Sequence, residues 1–151
     1  MINGVHIKKL KQIPDERGRL FEILRRDDPQ FQQFGQAYIT TTYPNVIKAW
    51  HLHKIQTDNV CCINGMIRLA LYDDRENSPT FQQIEEHFIG NHNLMLITIP
   101  PGVWHGWRAL GDNEAIILNL PTVPYNHDQP DEYRLHPFNN DIPLDWDFKG
   151  F

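Results

Sequence analysis

Two histidines separated by one residue, His51 and His53, are followed by Asp58, and a third histidine, His105, lies further along the chain. Residues i and i+2 of a β-strand point to the same face of a sheet. If the two segments pair inside a small barrel, three imidazoles and one carboxylate converge in its mouth. Such a set suits either a divalent transition metal or a metal-free acid–base site.

The elements that must position these side chains are short strands separated by turns rich in Gly, Pro and Asn. The candidate strands span 5–10, 18–24, 36–42, 46–52, 59–63, 66–72, 84–89, 94–99, 106–109 and 115–120. One helical turn is predicted at 29–34, beginning with Pro29, and the Pro-rich tail from Pro121 is expected to be irregular. The pattern predicts an all-β sandwich or barrel.

Length and composition restrict the class of protein. The chain has 151 residues, so we expect one domain over 1–151. A net charge of -5 argues against a nucleic-acid partner. Neither a secretory signal nor an apolar run of about 20 residues is visible, so no membrane partner is expected. Cys61 and Cys62 are adjacent and poorly placed for a disulfide, which favours a reducing, cytoplasmic compartment.

The spacing of the polar residues resembles the two sequence motifs of the cupin superfamily. The first motif is followed by Asn45, His51, His53, Asp58 and Gly65, and the second by Pro100, Gly102 and His105. Asn45 stands where the first motif normally has glycine, and asparagine tolerates a left-handed backbone better than most residues. The resemblance implies a cupin-type jelly roll.

A longer resemblance covers nearly the whole chain and points to the dTDP-4-dehydrorhamnose 3,5-epimerases, which are cupins without a catalytic metal. The matching segments, in order, are 15–22, 36–42, 46–51, 73–81, 99–107 and 141–146. The resemblance implies an isomerase that removes a proton next to the ketone of a dTDP-4-keto-6-deoxyhexose and inverts C3, C5 or both. It also implies a role in deoxysugar or polysaccharide biosynthesis, and a homodimer to which each N-terminal strand region contributes by crossing to the partner.

The resemblance also implies roles for individual residues. The catalytic candidates are His51 as the general base, Tyr125 as the acid on the opposite face, and His105. The candidate substrate-binding residues are Arg17, Glu22, Gln36, Lys48 and Asn59. Of these, Arg17 and Lys48 are expected at the diphosphate. No cofactor is expected.

Three departures from the family pattern keep other hypotheses open. The family lysine that stabilises the enolate aligns with Asn59, and the aspartate that orients the base aligns with Asn139 unless Asp141 shifts into register. The usual glutamine after the base is His53. The first alternative is a metal-dependent cupin whose divalent transition metal is held by His51, His53, Asp58 and His105. The second is a sugar-nucleotide binding module without catalysis.

Overall fold

A computed structural model describes residues 1–147, and this part of the chain forms strands joined by turns, without a helix. The strands are β1 (His6–Lys9), β2 (Ile13–Asp15), β3 (Gly18–Leu20), β4 (Tyr38–Thr42), β5 (Ile47–Leu52), β6 (Asp58–Asn64), β7 (Met66–Asp73), β8 (Ile84–Gly90), β9 (Met95–Ile99), β10 (Val103–Leu110), β11 (Ala115–Asn119) and β12 (Tyr133–Arg134). None of the described segments is a helix long and apolar enough to cross a membrane.

Two five-stranded antiparallel sheets make up the body of the fold. The first has the order β1-β9-β6-β11-β4 and the second the order β12-β5-β10-β7-β8. Strands β2 and β3 form a separate two-stranded hairpin. Many crossovers between distant strands, with both sheets antiparallel, confirm the predicted all-β cupin-type jelly roll.

Strand β7 shows how the core is divided, because both of its faces are buried. Ile67, Leu69 and Leu71 belong to the main apolar core. The alternate residues Ala70 and Tyr72 belong to a second cluster that contains side chains of the C-terminal tail. The tail residues in that cluster are Ile142, Leu144 and Trp146. Alternation along one strand therefore attaches the tail to the barrel.

Two turns next to the cavity strands have left-handed backbone conformations. Asn45 precedes β5 with a φ of 63°, which confirms the expectation that asparagine replaces the turn glycine there. Gly65 separates β6 from β7 with a φ of 77°. A Cβ atom at Gly65 would lie 2.9 Å from the Cα atom of Ala115, so a larger residue would push β11 away.

Most candidate strands are found, with ends that differ by up to three residues, but the predicted helical turn at 29–34 is not confirmed. One turn hydrogen bond is found in that segment, from the amide of Phe31 to the carbonyl of Asp28 at 3.0 Å. A single turn of this kind does not propagate into a helix. The strand predicted at 18–24 ends at Leu20, and β2 and β12 were not predicted.

Candidate active site

A cavity of about 1050 Å³ opens between the two sheets. Strands β5 and β10 of one sheet and strands β4, β6 and β11 of the other contribute to its walls. Residues 123–137 of the tail, which we call the strap, supply much of the remaining wall. The cavity is at the upper end of the size range of small-molecule sites.

His51 lies on β5 opposite His105 on β10, and their ring centroids are 6.1 Å apart. Nδ1 of His51 is 3.2 Å from Oε1 of Glu132 in the strap. A carboxylate only accepts hydrogen bonds, so Nδ1 carries the hydrogen and Nε2 is the basic nitrogen. Glu132 is held in turn by Arg134, whose Nη2 donates to the same oxygen at 2.8 Å.

The surroundings of His51 keep its ring neutral. Burial and the nearby His105 lower the pKa of His51 to about 4, although Glu132 opposes this shift. Burial raises the pKa of Glu132, but hydrogen bonds from Arg134 and His51 outweigh it, and the net shift is downward. At neutral pH the pair is therefore a neutral imidazole beside a carboxylate, which is the state required of a general base.

A second group, which we call the Asp58 cluster, consists of His53, Asp58 and His105. Oδ2 of Asp58 is 3.3 Å from Nε2 of His53 and 3.1 Å from Nε2 of His105. Oδ1 of the same carboxylate accepts hydrogen bonds from Gln56 at 2.6 Å and from Asn119 at 2.9 Å. Asp58 is only 1% exposed, so this buried charge is surrounded by partners on both oxygens.

The other ring nitrogen of each cluster histidine faces a main-chain carbonyl. Nδ1 of His53 contacts the carbonyl of Asp131, and Nδ1 of His105 lies 3.2 Å from the carbonyl of Val103. Burial lowers the pKa of His53, but the hydrogen bond to Asp58 and its charge outweigh burial and raise the pKa to about 8. Burial raises the pKa of Asp58, and the contacts with both histidines lower it overall.

The strap organises both groups through two adjacent residues, Asp131 and Glu132. Besides its carbonyl contact with His53, Asp131 uses its carboxylate to accept the amides of Lys54 and Ile55, each at 2.8 Å. It also accepts the amide of Gln56 at 3.0 Å. These bonds fix the turn between β5 and β6, which carries His53 and Asp58 at its two ends.

Five of the residues predicted for the site share this one cavity. They are Gln36, Lys48, His51, His105 and Tyr125. Tyr125 is half exposed, and its amide donates to Oε1 of Gln36 at 3.2 Å. Lys48 donates from Nζ to Oγ1 of Thr40 at 3.1 Å and to the carbonyl of Thr41 at 2.7 Å.

Three predicted substrate-binding residues lie outside the cavity lining. Arg17 is exposed on the β2–β3 hairpin, where it pairs with Asp15, and Glu22 pairs with Arg25 on the surface. The prediction that placed Asn59 beside the substrate needs correction, because its side chain is used inside the sheet. It donates to the carbonyl of Leu120 at 2.9 Å and accepts from Thr98 at 2.7 Å.

Alternation along β6 explains the correction, because Asn59 and Asp58 point to opposite faces and only Asp58 enters the cavity. The carboxylate beside His51 is Glu132, not a residue near Asn139 or Asp141. The predicted four-residue metal set is also divided. Only the ligand atoms of the Asp58 cluster lie within 4.8 Å of one another, and His51 is outside that group.

Sequence reasoning missed several cavity residues. They are Tyr38, Gln56, Asn119, Glu132 and Arg134. The phenol of Tyr38 accepts a hydrogen bond from Asn119 at 2.8 Å, and burial raises its pKa to about 12. The only available signal for Glu132 was an acidic pair after Pro130 in an otherwise polar tail, and no spacing rule connects that pair to His51.

Comparison with known proteins identifies the family. The family model described as dTDP-4-dehydrorhamnose 3,5-epimerase matches residues 1–150. The chain belongs to the dTDP-4-dehydrorhamnose 3,5-epimerase family. For two curated relatives of this epimerase family, the match extends over nearly their full length.

Two curated relatives and one solved structure illustrate the similarity. The probable low-salt glycan biosynthesis epimerase Agl13 of Haloferax volcanii is 40% identical over 147 residues, covering 96% of this chain and 94% of its own. The spore coat polysaccharide biosynthesis protein SpsL of Bacillus subtilis is 41% identical over 146 residues, covering 97% of each chain. The crystal structure of a dTDP sugar isomerase from Desulfovibrio desulfuricans has a TM-score of 0.90 at 36% identity, covering 96% of this chain and 92% of that one.

Proposed function

We propose that this protein is a nucleotide-sugar epimerase that inverts C3, C5 or both in a dTDP-linked 4-keto-6-deoxyhexose for polysaccharide or glycan biosynthesis. Membership of the epimerase family and the names of the relatives support this substrate class. The observation that carries the proposal is the contact between His51 and Glu132 on the wall of a cavity of about 1050 Å³.

The chemistry follows from the position of the ketone. A proton on a carbon next to the ketone is acidic because its electron pair moves to the ketone oxygen and forms an enolate. Nε2 of His51 takes that proton, and Glu132 stabilises the resulting imidazolium through Nδ1. The Tyr125 hydroxyl returns a proton to the opposite face of the carbon. The phenolate then regains a proton from solvent, and the His51 imidazolium releases its proton to solvent. The net result is inversion without oxidation or reduction.

Two cationic side chains lie on the cavity wall, together with the carboxylates of Asp58, Asp131 and Glu132. Lys48 and Arg134 both line the cavity. Their cationic groups suit a diphosphate, although Lys48 offers a point charge, not the fork of an arginine. We propose that these two residues contact the diphosphate.

Solvent exchange tests the proposal. Incubating the protein with a dTDP-4-keto-6-deoxyhexose in deuterated water should incorporate deuterium at C3, C5 or both, as measured by NMR. His51→Asn should slow exchange by about 1000-fold, within the usual range for a general base. His87→Asn is the matched control, because His87 lies 3.2 Å from Glu85 at a site outside the cavity. Equal exchange rates in the wild type and His51→Asn would refute an enzymatic role for His51.

The binding-module alternative predicts a different result from the same experiment. It rested on the family positions occupied by Asn59 and Asn139, but Glu132 supplies a carboxylate to His51. Tight binding of the nucleotide sugar with no exchange in the wild type would favour a binding module over an epimerase.

We also propose a homodimer in the cytoplasm. The β2–β3 hairpin pairs only with itself within residues 1–147, and Ile13 and Leu20 on it are more than half exposed. An isolated two-stranded hairpin is marginally stable in water, so a partner subunit is expected to cover it. Light scattering should give twice the mass of one chain, and a monomer at micromolar concentration would contradict the proposal. Cys61 and Cys62 are free and buried, in keeping with a reducing compartment.

A further inference from the structure

The side chain of Tyr38 lines the cavity but has no part in the proton transfer proposed above. Tyr38 belongs to β4 of the first sheet and His51 to β5 of the second, so a ligand between the sheets can contact both. Strand β4 pairs with β11, where Tyr38 lies opposite Asn119. Nδ2 of Asn119 donates a hydrogen bond to the phenol oxygen at 2.8 Å.

The orientation of the Asn119 side-chain amide is fixed from two sides. The main-chain amide of Asn59, which only donates, lies 3.1 Å from Oδ1 of Asn119. The carboxylate of Asp58, which only accepts, lies 2.9 Å from Nδ2. Nδ2 is therefore the donor toward Tyr38, and the phenol oxygen is the acceptor.

The hydrogen of the Tyr38 hydroxyl is consequently left for a ligand. Within residues 1–147, Asn119 is the only hydrogen-bond partner of this hydroxyl. Because the bond from Asn119 uses a lone pair of the phenol oxygen, the hydroxyl hydrogen is available to an acceptor in the cavity. A hydroxyl that already accepts a hydrogen bond is also a stronger donor, because the two bonds polarise one another.

The surroundings of Tyr38 favour a donor that keeps its proton. Burial raises the pKa of Tyr38 to about 12, and the charge of Asp58 adds to this shift. A phenol with such a pKa donates hydrogen bonds but resists the loss of its proton. Tyr38 is therefore suited to a different task from Tyr125, which gives up a proton in the proposed mechanism.

The neighbours of Tyr38 on β4 indicate which part of a substrate it faces. Thr40 lies two residues away on the same face of the strand, and both residues line the cavity. Oγ1 of Thr40 accepts a hydrogen bond from Nζ of Lys48 at 3.1 Å. Two residues of a strand span only about 7 Å. A nucleotide sugar whose diphosphate contacts Lys48 therefore has its sugar within reach of the Tyr38 hydroxyl.

We infer that the Tyr38 hydroxyl donates a hydrogen bond to the ketone oxygen of the sugar and to the enolate oxygen formed from it. This inference rests on the proposed epimerase function. When His51 removes the proton, the electron pair of the C–H bond moves to the ketone oxygen. A fixed donor aimed at that oxygen stabilises the transition state, because the negative charge develops there. The hydrogen stays on the phenol throughout, so Tyr38 needs no proton from another group.

Tyr38→Phe tests the contact, because it removes the hydroxyl and keeps the ring. Deuterium incorporation and inversion of the sugar are followed by NMR in the same deuterated sample. Tyr38→Phe should slow both by about 100-fold, at the lower end of the usual cost of losing one such donor. Tyr125→Phe should instead lose inversion and retain exchange, because His51 can return a deuteron to the face from which it took the proton.

Tyr43→Phe is the matched control, because Tyr43 follows β4 directly, is 72% exposed and is not among the residues that line the cavity. It should match the wild type in exchange and inversion. Wild-type rates in Tyr38→Phe would overturn the inference. Normal exchange with loss of inversion in Tyr38→Phe would also overturn it, because Tyr38 would then be the acid. Equal slowing in Tyr43→Phe would overturn it by showing an effect that does not depend on the cavity.

Calorimetric titration separates this inference from the proposed function. Tyr38→Phe should bind dTDP as the wild type does, which also shows that its cavity is intact. It should bind the dTDP-4-keto-6-deoxyhexose about 5-fold more weakly, because only the sugar nucleotide carries the ketone. This difference in binding, in a protein whose wild type exchanges no deuterium, would refute the epimerase and support the contact. Exchange that depends on His51, with unchanged exchange and binding in Tyr38→Phe, would refute the contact and support the epimerase.

Discussion

Two buried aspartates, Asp58 and Asp73, show how similar burial can serve different purposes. Asp73 is 0% exposed and Asp58 is 1% exposed. Asp73 accepts hydrogen bonds from Nε of Arg75 at 2.7 Å, Oγ of Ser78 at 2.6 Å and Oγ1 of Thr80 at 2.6 Å. Every one of these partners brings its own hydrogen, so protein atoms alone satisfy the Asp73 carboxylate.

Asp58 differs because one of its oxygens faces two histidine nitrogens that are not obligatory donors. Its other oxygen accepts from Gln56 and Asn119, as the oxygens of Asp73 do from their partners. Partner chemistry, and not burial, therefore distinguishes a carboxylate that stabilises a turn from one that lies on the wall of the cavity. The comparison makes different predictions for substitution at the two positions.

The largest effect is expected from Asp58→Asn on catalysis. Asp58 raises the pKa of His53 to about 8 and so keeps that ring positively charged at neutral pH. Its loss should remove this charge from the cavity and slow deuterium exchange by about 1000-fold, the scale of a lost electrostatic stabiliser of the enolate. The nearly isosteric amide should leave the melting temperature within a few degrees of the wild type. A variant that exchanges normally but melts early would place Asp58 with Asp73 as a structural residue.

Glu132→Gln should have the next largest effect, about 100-fold on deuterium exchange. The amide keeps the size of the side chain but loses the charge that stabilises the His51 imidazolium. Deuterium exchange followed by NMR measures the loss, and an exchange rate equal to that of the wild type would argue against Glu132 as the partner of His51.

Asp73→Asn should instead cost about 2 kcal/mol of stability, because it breaks a buried network and leaves Arg75 without its charge partner. Deuterium exchange per folded molecule should match the wild type, since Asp73 is not among the residues that line the cavity. Urea unfolding followed by fluorescence measures the loss. If Asp73→Asn is as stable as the wild type but exchanges deuterium slowly, Asp73 has a role in catalysis and not in stability.

The smallest effect concerns acid stability. Burial raises the pKa of Asp73, but hydrogen bonds from Arg75, Ser78 and Thr80 outweigh it and hold the pKa below the ordinary value of 3.8. A carboxyl with a depressed folded-state pKa stabilises the fold above its unfolded pKa, and that stability is lost as the pH falls through the folded pKa.

The free energy of unfolding should therefore fall less steeply below about pH 4 in Asp73→Asn than in the wild type. Urea titrations at successive pH values compare the two slopes. If the free energy of unfolding falls equally steeply with decreasing pH in both proteins, Asp73 contributes little to the loss of stability in acid.

The sequence allowed the strands and the central histidines to be predicted because both signals are local. His51 and His105 stand in short motifs, and alternating apolar residues mark strands such as β7 and β11. The segment 73–81 helped to identify the family, and its polar residues form the Asp73 network, so that motif describes a turn and not a site.

Long-range features could not be predicted in the same way. Glu132 is 81 residues from His51, and no periodicity links β5 to a strap whose regular structure is limited to the two residues of β12. The choice between Asp58 and Asn59 depended on one residue of register, which alternation along β6 decides only once its pairing is known.

The adjacency of Asp131 and Glu132 has a consequence for how such a protein can diverge. Asp131 contacts His53 through its carbonyl, and Glu132 contacts His51 through its side chain. An insertion, deletion or shift in the strap moves both residues together. A single change in the strap would therefore alter both the partner of the proposed base and the floor of the cavity. New substrate preferences would arise more readily through changes on β4 and β11 than in the strap.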